Sequence, residues 1–256
     1  MRENGLPKGS IAFQFLGVPV IITPFSWVAL AIIGGAFGVN SAADLAGTLV
    51  FVLLGMLTLL VHEFGHALTG RAFTGGQPVI IMQALGGLTY NPVVPQRGWQ
   101  YFLTVLAGPL ASLLLGVLVA LVLGLHIGHV GGALGLYFYY VPFNCLDEVP
   151  VDVAEALVRA EIPDLLLRGY CSALIVCFWW SLFNLLPLYP LDGGKLLATV
   201  IRSELVASAI GLVLAVAFAL WSLAVGLWFN VMLGVFLAVT NFNYLRDFRR
   251  GGGGRE

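Results

Sequence analysis

Apolar residues run through this chain in long stretches, separated by short polar or glycine-rich segments. A helix of about 20 apolar residues is needed to cross the hydrocarbon core of a bilayer. Helices are expected because lipid offers no partner to an unpaired backbone amide or carbonyl. The pattern predicts an all-α polytopic membrane protein with about six transmembrane helices, at residues 24–39, 45–71, 99–125, 170–188 and, on either side of a turn near Gly226, twice within 205–244.

Two stretches lack a helical pattern and predict short strands instead. Residues 11–22, "IAFQFLGVPVII", are broken by Gly17 and Pro19 and suggest two short extended pieces. Residues 73–92, "FTGGQPVIIMQALGGLTYNP", combine β-forming residues with two glycine pairs. We expect a small membrane-associated β-hairpin or sheet there. Irregular backbone at membrane depth is tolerated only where it is buried in protein or lines a wet cavity.

The chain shows no internal repeat and no low-complexity linker. We therefore expect a single membrane-embedded domain over residues 1–250, which begins with an N-terminal interfacial segment at 1–23. Residues 126–169 become acidic and predict an insertion that faces outward and contains short amphipathic helices. Residues 251–256, "GGGGRE", predict a flexible tail.

Composition supports a membrane location and excludes other classes. The chain is 59% hydrophobic and only 10% charged, with a mean hydropathy of +0.96. Soluble domains carry about 25% charged residues. The net charge of −1 gives no footprint for binding nucleic acid, so the lipid bilayer is the expected environment. The polar start "MRENGLPKGS", with no small-residue cleavage site after the first apolar run, predicts no cleaved signal peptide.

Basic residues predict the orientation in the membrane. With six spans and a cytoplasmic N-terminus, only Arg159 and Arg168 of the 12 Lys and Arg residues would face outward. Because cytoplasmic loops are enriched in Lys and Arg, both termini are expected in the cytoplasm. The end of the second span would then lie toward the cytoplasmic side.

That second span contains the polar sequence "HEFGH". Residues four apart on an α-helix lie on one face, so His62 and His66 can bind one zinc ion. Glu63 is offset by about 100° around the helix, where it can act as general base on a water held by the metal. A structural polar cluster is the alternative. Ionisable groups inside a membrane helix are costly and usually functional, which favours the metal site.

A catalytic zinc ion needs a third protein ligand, and Asp192 in "NLLPLYPLDGG" is the best candidate. It follows an apolar span, and the prolines and glycines around it permit a turn that directs a carboxylate inward. Alternatively, Asp192 caps the helix that follows. Asn184, earlier in the same stretch, could hydrogen-bond the substrate or an oxyanion, or it could join neighbouring helices.

Together, "HEFGH" in the second span and "NLLPLYPLDGG" in a later span resemble the site-2 protease family of intramembrane zinc metalloproteases. The resemblance implies one catalytic Zn²⁺ bound by His62, His66 and Asp192, with Glu63 as catalytic base. It also implies cleavage of a peptide bond in or next to the transmembrane segment of a membrane-protein substrate. The chain resembles the compact form of the family, without a PDZ or other regulatory module. It departs from the family pattern in "AGPLAS", where Ser112 stands in the place of an Asn.

Cleavage of a transmembrane helix requires that the helix first unwind, because its own hydrogen bonds hide the peptide bond. The glycine-rich stretch before Tyr90 is a candidate edge to which an extended substrate could add as a strand. There, Gly86 and Gly87 would let the two backbones approach closely. An ordinary structural hairpin is the alternative.

Two other functions remain compatible with a buried metal motif. A membrane metal transporter should show two similar halves, whereas the HExxH motif has no counterpart in the rest of the chain. A catalytically inactive zinc-binding scaffold would need ligands but no base. The presence of Glu63 between the histidines favours the endopeptidase.

Overall fold

The computed structural model of this protein describes residues 7–84, 86–90, 98–141 and 149–249. The strands and α-helices in this part of the chain, in order, are β1 (Ile11–Phe15), β2 (Val18–Ile22), α1 (Pro24–Ile33), α2 (Ala42–Thr74), β3 (Val79–Gln83), β4 (Gly86–Tyr90), α3 (Gly98–Ile127), α4 (Val130–Gly135), α5 (Val151–Arg159), α6 (Asp164–Asn184), α7 (Asp192–Ile201), α8 (Glu204–Ala224) and α9 (Trp228–Arg249). A 3-10 helix at Ala36–Gly38 follows α1, and a π-helical turn at Leu136–Tyr140 follows α4.

Among the described residues, five helices are long and apolar enough to cross a membrane: α2, α3, α6, α8 and α9. They confirm the predicted class, a polytopic helical membrane protein. The first predicted span, residues 24–39, is shorter than a full span because α1 has only 10 residues. At 1.5 Å per residue α1 is about 15 Å long, half of the hydrocarbon thickness. It ends at Gly34, and Gly35 has φ of 85°, which breaks the helical path.

The predicted extended segments form one four-stranded sheet in the order β1-β2-β3-β4. β1 and β2 are antiparallel, as are β3 and β4, while β2 and β3 are parallel. A two-residue turn joins β1 to β2, and both its residues, Leu16 and Gly17, have positive φ, as a type I′ turn requires. β2 is buried almost throughout and β1 is exposed, so the sheet packs asymmetrically. β4 is left as an edge strand.

Helix α2 has defined ends that set the position of its polar motif. The Ser41 side chain accepts a hydrogen bond from the Asp44 backbone amide at the N-terminus. At the C-terminus Gly75 has φ of 66°, the left-handed conformation that favours glycine. One buried cluster joins α1, α2, the sheet and α6, with Leu59, Ile80, Met82 and Val176 among its members. This cluster holds the sheet against the helix that bears the HExxH motif.

The acidic segment contains the amphipathic helix expected of it. In α5, Val153 and Ala156 are buried while Asp152 is exposed. The ring of His129 accepts a hydrogen bond from the Gly132 amide, and its Nε2 lies 2.8 Å from Asp152 Oδ2. This contact with His129 holds the pKa of the Asp152 carboxyl below its usual range. It also connects the N-terminus of α4 to α5, although the two residues are 23 positions apart in the chain.

The chain divides into two compact units. The first comprises Met1–Pro95 and Ala107–Ser181, and contains the sheet and the HExxH motif. The second comprises Gln96–Leu106 and Leu182–Glu256, and contains α7, α8 and α9. Within the second unit, α8 and α9 pack against each other around the buried Ala215 and Leu237. Gly226, with φ of 77°, lies in the turn between them. The turn lies where the sequence predicts it, near Gly226.

Candidate active site

The polar motif of α2 lies inside the first unit. His62 is 2% exposed and Glu63 is 5% exposed, and His66 is half-buried. The two imidazole rings lie 4.8 Å apart between centroids and are nearly perpendicular, at 81°. Each of these three residues offers a ligand atom, and these atoms all lie within 4.8 Å of one another. The one-turn spacing on α2 therefore brings together three groups that could hold a metal ion.

This cluster fits a zinc ion by its chemistry and its spacing. Imidazole nitrogens and carboxylate oxygens are ligands that zinc accepts, at about 2.0–2.2 Å. Two atoms bound at that distance lie within about 4 Å of each other, so the observed cluster needs little adjustment. Zinc prefers four ligands, so if the two histidines bind it and Glu63 stays free to act as a base, room remains for another protein group and for water.

Helix α3 packs its backbone directly against the motif. A Cβ added to Gly108 would overlap the His66 ring, and one added to Gly65 would overlap the backbone of Ala107. Small residues allow two membrane helices to approach this closely. The glycines in "HEFGH" and "LAGPLAS" are thus needed to bring α2 and α3 into contact at the cluster.

The β3–β4 hairpin covers Glu63 from another side. A Cβ added to Gly87 would overlap the Glu63 side chain. Thr89 lies two residues further along β4, and its hydroxyl donates a hydrogen bond to Glu63 Oε2 at 2.6 Å. Gly87 and Thr89 share one face of the strand because side chains alternate. Gly86, with φ of 125°, packs against Trp180 instead.

Two serines that come from other helices lie in a row beside His62. Ser112 of α3 has its hydroxyl 3.3 Å from His62 Nδ1, and 2.6 Å from the hydroxyl of Ser181 in α6. The sequence identifies Ser112 only as a departure from the family pattern, and neither Thr89 nor Ser181 stands out in it. A signal was present for Ser181, since it is a polar residue inside an apolar span.

Asp192 and Asn184 lie in the second unit. Asp192 is 4% exposed, and its carboxylate accepts a hydrogen bond from Lys195 Nζ at 3.1 Å. It is the first residue of α7, and Leu191 holds the cap position. Asn184 is the last residue of α6 and is half-buried.

The turn before Asp192 is held in place by hydrogen bonds from a residue that no sequence motif singles out. Asn241 of α9 is fully buried, and its side chain accepts a hydrogen bond from the Tyr189 amide and donates one to the Tyr189 carbonyl. A Cβ at Gly193 would overlap the Leu185 backbone, so the chain doubles back tightly here. An Asn in an apolar span is the available signal, because polar residues at that depth usually have a defined partner.

Comparisons with known proteins agree with this architecture. Residues 49–225 match Peptidase family M50. The chain is 23% identical to a zinc metalloprotease of Methanocaldococcus jannaschii over 75% of its own length and 45% of that protein. It is 26% identical to a putative zinc metalloprotease of Synechocystis sp. over 82% of its length and 49% of that protein. The chain thus spans about half the length of these curated relatives.

A solved structure shows the same fold. The site-2 protease from Methanocaldococcus jannaschii superposes with a TM-score of 0.56 at 20% sequence identity, covering 92% of this chain and 95% of that one. Together with the five span-length helices among the described residues, these matches indicate an integral multi-pass membrane protein. The family match spans most of the chain, from within α2 to the turn after α8, and it confirms the resemblance found in the two motifs. The chain therefore belongs to peptidase family M50, and its fold is that of a site-2 protease.

Proposed function

We propose that this protein is an intramembrane zinc endopeptidase that hydrolyses a peptide bond in or next to the transmembrane segment of a membrane-protein substrate. The observation that carries the proposal is the buried cluster of His62, Glu63 and His66 on a span-length helix. Its chemistry combines two metal-binding imidazoles with a carboxylate that is available as a base. Membership of peptidase family M50 supports the same reaction class.

In the proposed mechanism His62, His66 and Asp192 bind one zinc ion and Glu63 is the general base. The zinc ion would supply a Lewis acid that lowers the pKa of water and stabilises a developing oxyanion. Glu63 would accept a proton from the attacking water and deliver it to the leaving amine. The burial of Glu63 limits competing contact with bulk water. Asp192 is assigned as the third zinc ligand because a catalytic zinc ion requires one and because the Asp192 carboxylate is buried. Asn184 is proposed as a donor to the substrate or the oxyanion.

Strand β4 is the proposed docking edge for an unwound substrate. It lies at the end of the described four-stranded sheet, so half of its backbone amides and carbonyls point away from β3. Its inner face carries Gly87 and Thr89 against Glu63. An extended peptide that adds to this edge would run beside the proposed base. Gly86 and Gly87 are proposed to bind the substrate through their backbone groups, because neither has a side chain that would hinder a close approach.

Incubation of the purified protein with single-span membrane substrates in detergent tests the proposed reaction directly. Cleavage should be abolished by a zinc chelator and restored by zinc, and mass spectrometry should place the cut within or beside the transmembrane segment. Zinc binding without cleavage of any substrate would favour the scaffold, whereas uptake of zinc into vesicles would favour the transporter.

Replacing Thr89 by Val should lower kcat about 10- to 100-fold, because a hydrogen bond to a charged group contributes about 1.5–3 kcal/mol and about 1.4 kcal/mol corresponds to a tenfold change in rate. The variant keeps the shape of the side chain but removes the donor to Glu63 Oε2. Steady-state cleavage measures kcat and KM separately, and metal analysis should show unchanged zinc. Thr89→Ser should recover most of the rate. A Ser variant as slow as the Val variant would show that the hydroxyl is not the cause.

The proposed orientation has both termini in the cytoplasm and the cluster toward that side. It requires an even number of crossings, so residues 24–39, which contain the 10-residue α1, would have to cross the membrane in addition to the five span-length helices. It is supported by the basic residues at the end of α2 and at the end of α9, where Arg71, Arg246 and Arg249 lie, since Lys and Arg favour the cytoplasmic face. Fusions of a reporter that is active only outside the cytoplasm should be silent when joined to the C-terminus and active when joined between α4 and α5. The reverse pattern would overturn this orientation.

A further inference from the structure

The structure contains a line of buried polar groups that the reaction chemistry does not use. It runs from His62 on α2 to Ser112 on α3 and Ser181 on α6, and ends at a backbone carbonyl. The exposed fraction is 2% for His62 and 0% for both serines. Hydroxyl groups buried so completely need hydrogen-bond partners. The positions of their protons can therefore be worked out by counting donors and acceptors.

The distances define the connections along this line. His62 Nδ1 lies 3.3 Å from Ser112 Oγ, and Ser112 Oγ lies 2.6 Å from Ser181 Oγ. Ser181 Oγ lies 2.7 Å from the Cys177 carbonyl oxygen. Ser112 Oγ also lies 3.2 Å from the carbonyl oxygens of Gly108 and Pro109. All these carbonyls can only accept, whereas each serine has a single proton to donate.

The two shortest contacts, at 2.6 and 2.7 Å, decide where the serine protons lie. Because the Cys177 carbonyl can only accept, Ser181 donates its proton to that carbonyl. The contact between the two serines then requires that Ser112 donate to Ser181. Ser112 has no second proton, so it can only accept from His62 Nδ1. This arrangement places a proton on His62 Nδ1.

We propose that Ser112 and Ser181 are positioning residues that hold His62 as its Nδ1–H tautomer, with the Nε2 lone pair directed to the metal. The inference rests on the proposed function in taking His62 as a zinc ligand. A histidine that binds a metal usually donates its other ring N–H to an oxygen, which sets the ring orientation. Ser112 provides that oxygen here, and the serine pair ties it to α6. The residue that departs from the family pattern is thereby part of the site.

Nitrogen NMR of the metal-free protein tests the tautomer without any substrate. The chain has only 4 His residues, so protein labelled with ¹⁵N in histidine gives few signals. The His62 signals are assigned by their loss in His62→Gln. At a pH about two units above the ordinary imidazole pKa of about 6.5, His62 should show a protonated Nδ1 and an unprotonated Nε2. A protonated Nε2 would overturn the proposal.

Zinc affinity provides the second readout. By competition with a chelator of known affinity, Ser112→Ala should bind zinc about 10- to 100-fold more weakly than the parent. Ser181→Ala should lose less, because Ser112 can still donate to the carbonyls of its own helix. Ser208→Ala is the matched control, since it removes another fully buried hydroxyl that bonds a carbonyl four residues earlier on α8. Its zinc affinity should equal that of the parent.

The two readouts separate this inference from the proposed protease. Equal zinc affinity in Ser112→Ala and Ser208→Ala would overturn it, as would loss of affinity that merely follows a lower unfolding temperature in every serine variant. If His62 has the expected tautomer and Ser112→Ala weakens zinc binding, the positioning role holds even where no substrate is cleaved. Absence of cleavage by the parent would then count against the endopeptidase alone.

Discussion

Replacing Glu63 by Gln is expected to reduce cleavage of a membrane substrate by about 10²- to 10⁴-fold, the usual contribution of a general base. The amide has nearly the shape of the carboxylate, and its carbonyl oxygen can still accept the hydrogen bond from Thr89. It cannot accept a proton from water at neutral pH. Because His62 and His66 are unchanged, zinc should remain bound in a one-to-one ratio. Cleavage kinetics and metal analysis on the same preparation measure both outcomes.

The matched control is Glu155→Gln, which neutralises an exposed carboxylate on α5 and should leave cleavage unchanged. Full activity in Glu63→Gln would remove Glu63 from the mechanism. Loss of zinc in that variant would instead make Glu63 a ligand, and the base would have to be sought elsewhere.

Replacing Asp192 by Ala is expected to strip the protein of zinc during dialysis and to abolish cleavage. Removing a residue that only hydrogen-bonds a metal ligand weakens metal binding by up to ~100-fold. Removing one of the three protein ligands themselves should weaken zinc binding by more than that. Asp192 is buried at the start of α7, and its carboxylate is 3.1 Å from Lys195 Nζ. Zinc content is measured by elemental analysis, and folding by thermal unfolding of the metal-free forms of parent and variant.

Lys195→Ala distinguishes a ligand from a structural ion pair. If Asp192 served only to pair with Lys195, removing either residue would have the same effect. The ligand assignment predicts that Lys195→Ala keeps its zinc while Asp192→Ala does not. Unchanged zinc in Asp192→Ala would show that the third ligand lies elsewhere in the chain.

The position of the cluster could be predicted from the sequence because its cause is local. One helical turn separates His62 from His66, and the long apolar run around them specifies a helix in lipid without reference to the rest of the fold. The short extended segments could be predicted for a similar reason, since β-forming residues interrupted by glycine or proline lack a helical pattern. The length of α1 could not be read as easily, because Gly34 and Gly35 end the helix inside an apolar run.

The groups that surround the cluster depend on contacts between elements that are distant in the chain. Thr89 is 26 residues from Glu63, Ser112 is 50 residues from His62, and Ser181 is 69 residues from Ser112. Each of them is an ordinary residue in its own strand or helix. Its role comes from the packing of that element against α2, and no local pattern encodes such a contact.

The sequence by itself therefore determined the membrane class, the main helices, the helical turn that carries the candidate metal ligands and, through the resemblance of two motifs, the family of this protein. The first three follow from hydrophobic length and helical spacing, which act over one or two turns. Only the tertiary structure decided that β2 and β3 pair in parallel across the intervening helices, that Thr89 holds Glu63, that Ser112 meets His62 and that Ser181 meets Ser112. Backbone pairing and buried hydroxyl contacts of this kind form only when separate elements pack together and exclude water.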